Sequence, residues 1–208
     1  MNFNDAIAQC GIIAILRGIT PAEARDVGTA LFEAGVRVVE VPLNSPDPFT
    51  TIEKLAAGFA GRMVVGAGTV LDPSDINLLK SHKGEIAVSP DCNPAVIARA
   101  KEAGLVPIPG AFTPTEAFAA LRAGARHLKL FPAEAASPLT IKAWKAVLPK
   151  YVQVYAVGGV TPANMQDWVQ AGADGFGIGS NIYKQGMTAD QVSQAAREFV
   201  AAWNALKR

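Results

Sequence analysis

One two-residue signal recurs along this chain and constrains its fold more than any other feature. A small polar residue is followed by proline at Thr20-Pro21, Ser45-Pro46, Asp72-Pro73, Asn93-Pro94, Thr113-Pro114, Ser137-Pro138 and Thr161-Pro162. The polar side chain can accept a hydrogen bond from a backbone N–H that a helix start leaves unpaired. Proline at the first helical position forfeits no helical bond, and its φ is already set. Seven helix starts are therefore predicted. Most of the segments that follow close on glycine, at Gly35, Gly61, Gly84, Gly104, Gly124 and Gly172, where a cap residue with positive φ is expected. The sixth closes instead at Leu148-Pro149.

Between these stops and starts lie short apolar, β-branched runs at 36–43, 63–70, 85–88, 105–108, 127–131, 152–157 and 175–178, with another at 11–16 ahead of the first helix. These are eight predicted strands alternating with the marked helices. A final helical pattern runs over 189–206, and residues 2–9 suggest a short extra helix at the amino end. Strict alternation implies βαβ units with right-handed crossovers and an all-parallel sheet. A doubly wound open sheet shares that local grammar, but the count of eight and the near-even spacing favour a closed (β/α)8 TIM barrel with a short N-terminal helix. At 208 residues, half of them hydrophobic, the chain suffices for one sizeable core, so 1–208 is read as a single domain.

Charge narrows the function classes. Nineteen basic and 18 acidic residues leave a net charge of +1 with no run of one sign, so neither nucleic acid nor an anionic membrane is an expected partner. The first residues lack a basic stretch followed by an apolar one, and a cytoplasmic location is expected. Cys10, Cys92, His82 and His127 do not form a metal-type spacing, and no metal is expected. The two cysteines, His127, Met165 and Trp144 are read as inert, packing or surface residues.

In barrels of this type the site is assembled at the carboxyl ends of the strands. Those ends deliver Arg17, Glu40, Thr69, Lys129, Gly158-Gly159 and Gly179-Ser180. Period-two alternation sets Lys129 opposite Leu128 and Leu130, and Glu40 on the face of Val38 rather than that of Val39 and Val41, so both charges are predicted to look inward. Burial lowers a lysine pKa and frees an amine for carbonyl attack. The competing reading is an ion pair of Lys129 and Glu40 that merely fills the barrel; the cost of desolvating both ions near the mouth disfavours it. Arg17, in phase with Ile13 and Ile15, is suited to a carboxylate, and Thr69 to a ligand contact. The glycines of 158–159 and 179, with Ser180, would let backbone N–H groups approach a phosphate.

With these positions in hand, the chain resembles the 2-keto-3-deoxy-6-phosphogluconate and 2-dehydro-3-deoxy-6-phosphogalactonate aldolase family. The matching stretches are AILRGITPAEA (14–24), VEVPLNSP (39–46), VGAGTVLDP (65–73), PGAFTPTEAF (109–118), LKLFPAE (128–134), AVGGVTPANM (156–165) and GIGSNIY (177–183). The resemblance implies a homotrimeric barrel and a class I aldolase that forms a pyruvate Schiff base without a metal or other cofactor. Its ligands would be pyruvate and a small sugar-acid phosphate. By motif, Lys129 is the Schiff-base amine and Glu40 the proton shuttle. Arg17 and Thr69 hold the pyruvoyl carboxylate, and Gly158, Gly179 and Ser180 hold the phosphate. Asn44 and Val157 stand where the phosphogluconate enzymes carry arginine and threonine. Val157 is therefore read as a specificity residue, and the galactonate-configured substrate is expected ahead of its gluconate epimer. A phosphate-binding epimerase would want more metal ligands than the chain offers. A decarboxylase would want alternating Asp and Lys on one strand, and a silent oligomeric scaffold would have no need of an inward lysine.

Overall fold

Asn93, Thr113 and Ser137 cap helices at the expected positions. In the computed structural model, which describes residues 1–206, Pro94, Pro114 and Pro138 are the first residues of helices α5 (Pro94–Glu102), α6 (Pro114–Arg122) and α7 (Pro138–Val147). The Asn93 side chain accepts from the Ala95 N–H, and Thr113 forms a reciprocal capping box with Glu116. At Thr20, Asp72 and Thr161 the polar-proline pair instead opens a single turn. The helix proper begins after it: α2 (Ala24–Ala34), α4 (Asp75–Ser81) and α8 (Met165–Gln170). Ser45-Pro46 is a correction, because helix α3 (Pro48–Gly58) starts from the next pair, Asp47-Pro48. The Ser45 hydroxyl is committed elsewhere, accepting the Gly18 N–H at 3.0 Å and tying two loops together.

The stops hold with one exception. Gly35, Gly61, Gly104, Gly124 and Gly172 have positive φ, but at the end of α4 it is Lys83 that takes the left-handed conformation, at φ 63°. Gly84 is needed for space, since a β-carbon there would overlap the Leu79 side chain. The α7 helix ends at Leu148 as expected. Helices α1 (Phe3–Gln9) and α9 (Ala189–Leu206) complete the set.

The sheet has nine parallel strands rather than eight: β1 (Ile12–Ile15), β2 (Val38–Pro42), β3 (Val64–Gly68), β4 (Ile86–Val88), β5 (Val106–Ile108), β6 (Gly110–Ala111), β7 (His127–Leu130), β8 (Gln153–Val157) and β9 (Gly175–Ile178). Their order is β5-β4-β3-β2-β1-β9-β8-β7-β6. The extra strand is β6, which lies past the expected fifth strand (105–108) on the far side of Pro109, a residue that lacks an N–H. The strand before it, β5, pairs with β4, and the strand after it, β6, pairs with β7. Chain continuity across Pro109 thus brings the two ends of the sheet together. The Pro109 carbonyl accepts the Lys129 N–H at 2.9 Å, so the result is a nearly closed barrel wrapped by alternating helices.

Alternation along the strands separates two cores. Val39, Val41, Leu128, Leu130, Val154 and Ala156 face the helices. Ile13, Val38, Val64, Ile86, Val88, Ile108 and Tyr155 fill the inside, where α1 adds Phe3, Ala6 and Ile7. The amino-terminal helix is thus packed onto the barrel interior by its own apolar face.

Candidate active site

Among the described residues Lys129 and Glu40 are the buried charges, 6% and 2% exposed. Lys129 lies in β7 between Gly110 and Tyr155 in register, and Glu40 lies in β2 between Ile15 and Gly66. The inward phase read from alternation is what the fold delivers. Among the described residues the ion pairs are Arg99–Glu102 and Lys145–Asp174, so Lys129 and Glu40 act on each other through the field and not by direct contact. Glu40 Oε2 is buried without a hydrogen-bond partner. An ion pair that only fills the barrel is not what these side chains form.

Burial governs both groups. It pushes the Lys129 ammonium below the usual lysine range, opposed by the charge of Glu40 and assisted by that of Arg17. It pushes the Glu40 carboxyl up to about 7, against the pull of Lys129 and Arg17. A lysine amine so depressed is suited to act as a nucleophile, and a carboxyl poised near neutrality to give and take a proton. The Lys129 ammonium also stands 4.4 Å from the centroid of the Phe131 ring.

Phe131 connects this pair to the mouth. A cavity of about 500 Å³ opens there, and its wall includes Phe131, Arg17, Val157, Gly158, Gly179 and Ser180. The structure therefore gathers Arg17, Val157, Gly158, Gly179 and Ser180 around one space. Glu40, Lys129 and Thr69 are not on its wall. Thr69 follows β3 directly after Gly68 and sits in the left-handed region at φ 55°, a conformation uncommon for a residue with a β-carbon. The Arg17 guanidinium is exposed and donates to Asn44 Oδ1 at 2.9 Å, which links the two positions singled out on the first two loops.

The glycines differ in what they do. Gly158 and Gly159 have φ of 111° and 67°, and a side chain on either would also crowd Glu134. Gly179 does not have positive φ, and a β-carbon there would approach only Ile15, at 3.9 Å. Its missing side chain leaves the mouth open. Gly177 makes room for Val157, whose Cγ2 would lie 2.7 Å from a β-carbon at that position.

Sequence reading missed Phe131, Glu134 and Tyr183, all on the cavity wall. Phe131 and Glu134 stand in the LKLFPAE stretch and Tyr183 in GIGSNIY, so the motifs contained them; no local periodicity marks them. Trp144 and Met165 are core residues, as read, and Cys10 is buried. His127 is half-buried below Lys129, with Nδ1 3.2 Å from the Tyr155 hydroxyl.

Comparison with known proteins places this geometry among relatives. The family model described as KDPG and KHG aldolase matches residues 4–197. The chain is 47% identical over 195 residues to a probable 2-dehydro-3-deoxy-6-phosphogalactonate aldolase of Rhizobium meliloti (strain 1021), covering 94% of this chain and 92% of the relative. It is 45% identical over 192 residues to the 2-dehydro-3-deoxy-6-phosphogalactonate aldolase of Escherichia coli (strain K12), covering 92% and 94%. A solved structure described as native KDPGal superposes with a TM-score of 0.93 at 44% identity, over 94% of this chain and 95% of that one.

Proposed function

Because the chain belongs to the KDPG and KHG aldolase family, we propose that it is a class I aldolase that cleaves 2-dehydro-3-deoxy-6-phosphogalactonate to pyruvate and glyceraldehyde 3-phosphate. The observation that carries the reading is Lys129, buried inside the barrel with its ammonium form disfavoured and a second buried ionisable group, Glu40, sharing the interior.

Neutral Lys129 Nζ attacks the C2 carbonyl, and loss of water from the carbinolamine leaves an iminium. Glu40 removes the C4 hydroxyl proton, directly or through water. The C4 oxygen electrons form the aldehyde carbonyl while those of the C3–C4 bond pass into the iminium, giving an enamine and releasing glyceraldehyde 3-phosphate. Protonated Glu40 returns the proton to C3, and water then hydrolyses the iminium to pyruvate and free Lys129. One carboxyl serves both transfers because a pKa of about 7 leaves it able to donate and accept near neutral pH.

In this reading Arg17 and Thr69 hold the pyruvoyl carboxylate, and Gly158, Gly179 and Ser180 hold the phosphate. The cavity joins the Arg17 end to the glycine loops, as a substrate with an anion at each end requires. Val157, on the same wall, faces the stretch of the substrate between them. The working unit is a homotrimer. This extension rests on the family resemblance.

Pyruvate with borohydride tests the central step. Irreversible inactivation with a mass adduct on Lys129 is the expected result; an adduct on Lys142 or Lys145, or none, overturns the assignment. Sedimentation at three times the monomer mass checks the trimer.

A further inference from the structure

The loops that follow the paired strands β1 and β9 at the mouth are joined by a side-chain contact between residues 160 positions apart. The Tyr183 hydroxyl donates to Glu23 Oε1 at 3.0 Å. Tyr183 lies on the cavity wall and is almost fully buried, and its N–H donates to the Gly179 carbonyl at 3.0 Å, which holds it to the turn carrying Gly179 and Ser180. The other oxygen of the carboxylate, Glu23 Oε2, accepts the Thr20 N–H at 2.9 Å and the Thr20 hydroxyl. Thr20 is three residues beyond Arg17 on the loop after β1. A carboxylate suits this place because donors converge on both of its oxygens. The Tyr183 hydroxyl donates to one oxygen, and the Thr20 N–H and hydroxyl donate to the other.

We propose that Glu23 and Tyr183 are positioning residues that fix the spacing between the Arg17 end of the substrate cavity and the Gly179–Ser180 end, and so make the enzyme select substrates that carry a phosphate as well as a carboxylate. This rests on the proposed assignment of those two ends. A substrate that engages both gains from having them held at one separation, since the second contact is then formed without further ordering of the loops. A substrate lacking the phosphate gains nothing from the brace. The brace is therefore a device for discrimination, separate from the chemistry at Lys129.

The neighbouring loops are fastened in the same manner. Ser45 Oγ accepts from the Gly18 N–H, and Asn181 Nδ2 donates to the Val160 carbonyl at 3.0 Å. These contacts join the β1 loop to the β2 loop, and the β9 loop to the β8 loop. The contact of Tyr183 with Glu23 joins the two pairs.

The experiment is aldol condensation of pyruvate at fixed concentration with glyceraldehyde 3-phosphate and, separately, with glyceraldehyde, using full-length wild type, Tyr183→Phe, Glu23→Leu and the double variant. The ratio of kcat/KM for the phosphorylated over the unphosphorylated aldehyde should fall about threefold to tenfold in each single variant, mainly through KM for the phosphorylated aldehyde, the size of one hydrogen bond. The double variant should lose no more than the worse single one, because both changes remove the same link. Thermal unfolding is followed in parallel. If both aldehydes lose rate equally, or neither does, with the ratio unchanged whatever the Tm, the pair is a structural tie only and the inference is overturned. If wild type itself shows no preference for the phosphorylated aldehyde, or takes no borohydride adduct on Lys129, the functional assignment fails first, and this inference with it.

Discussion

Gly68 and the Glu40 carboxylate occupy adjoining space inside the barrel so closely that a β-carbon on Gly68 would overlap the carboxylate itself. Glycine at this position is a requirement of the site and not of the backbone, for Gly68 does not have positive φ. Gly68→Ala should therefore leave the circular dichroism spectrum intact and lower kcat by about 100-fold, the size of effect expected when a reacting group is displaced by roughly 1 Å. Gly66→Ala is the contrast. Its β-carbon would meet the Ile86 backbone, so that variant should lose soluble expression or Tm, and the pair of measurements separates a site glycine from a sheet glycine.

Glu40 should also cost stability at the pH where the enzyme works. Its folded pKa, about 7, is raised above the ordinary carboxyl value of 4.5 by burial. The contribution of its protonated form to stability is fully present below about 4.5 and is lost as pH rises through about 7. Glu40→Gln removes this dependence. Chemical denaturation at pH 8 should show the variant more stable than wild type by on the order of 1–3 kcal/mol, with the gap closing toward pH 5. Activity should be lost in the same variant. A variant less stable than wild type at pH 8 would contradict the assigned burial cost.

His127 works in the opposite direction. Burial holds its pKa down to about 4, from 6.5, so it folds as the neutral imidazole against Phe3 and Tyr155. The stability it contributes is present above about 6.5 and is lost as pH falls through about 4. His127→Phe keeps a ring against Phe3, while the Tyr155 hydroxyl still donates to Gln153. Denaturation midpoints measured from pH 7 to pH 4 should fall less steeply in the variant, by about 1–3 kcal/mol over the range. An unchanged slope would remove His127 from the account of acid unfolding.

Val157 tests the substrate configuration. It is 7% exposed, lies on the cavity wall and packs where Gly177 leaves room, so threonine, nearly the same size, can replace it without crowding. A hydroxyl there can hydrogen-bond one C4 configuration and not the other. Wild type should prefer the galactonate epimer, and Val157→Thr should move the kcat/KM ratio toward the gluconate epimer by about tenfold, as one polar contact of roughly 0.5–1.5 kcal/mol allows. Wild-type preference for the gluconate epimer, or a ratio that stays put in the variant, refutes the role given to this position.

What the sequence determined by itself is whatever depends on neighbours in the chain. Cap-proline pairs marked the helices to within one turn, though the α3 start fell to Asp47 and not to Ser45. Alternation on β2 and β7 was enough to turn Glu40 and Lys129 inward, because a strand side chain can take only one of two faces. The motif stretches were equally local. Tertiary structure alone decided matters that depend on closure of the sheet. It added a short ninth strand after Pro109, and it turned the hydroxyl of Ser45 to Gly18 and left the helix start to Asp47. It set Gly68 against Glu40, and it placed Glu23 beside Tyr183 from the far end of the chain. Local geometry says which way a side chain points. What stands opposite it is set by how the barrel closes, and that follows from the packing of the whole chain.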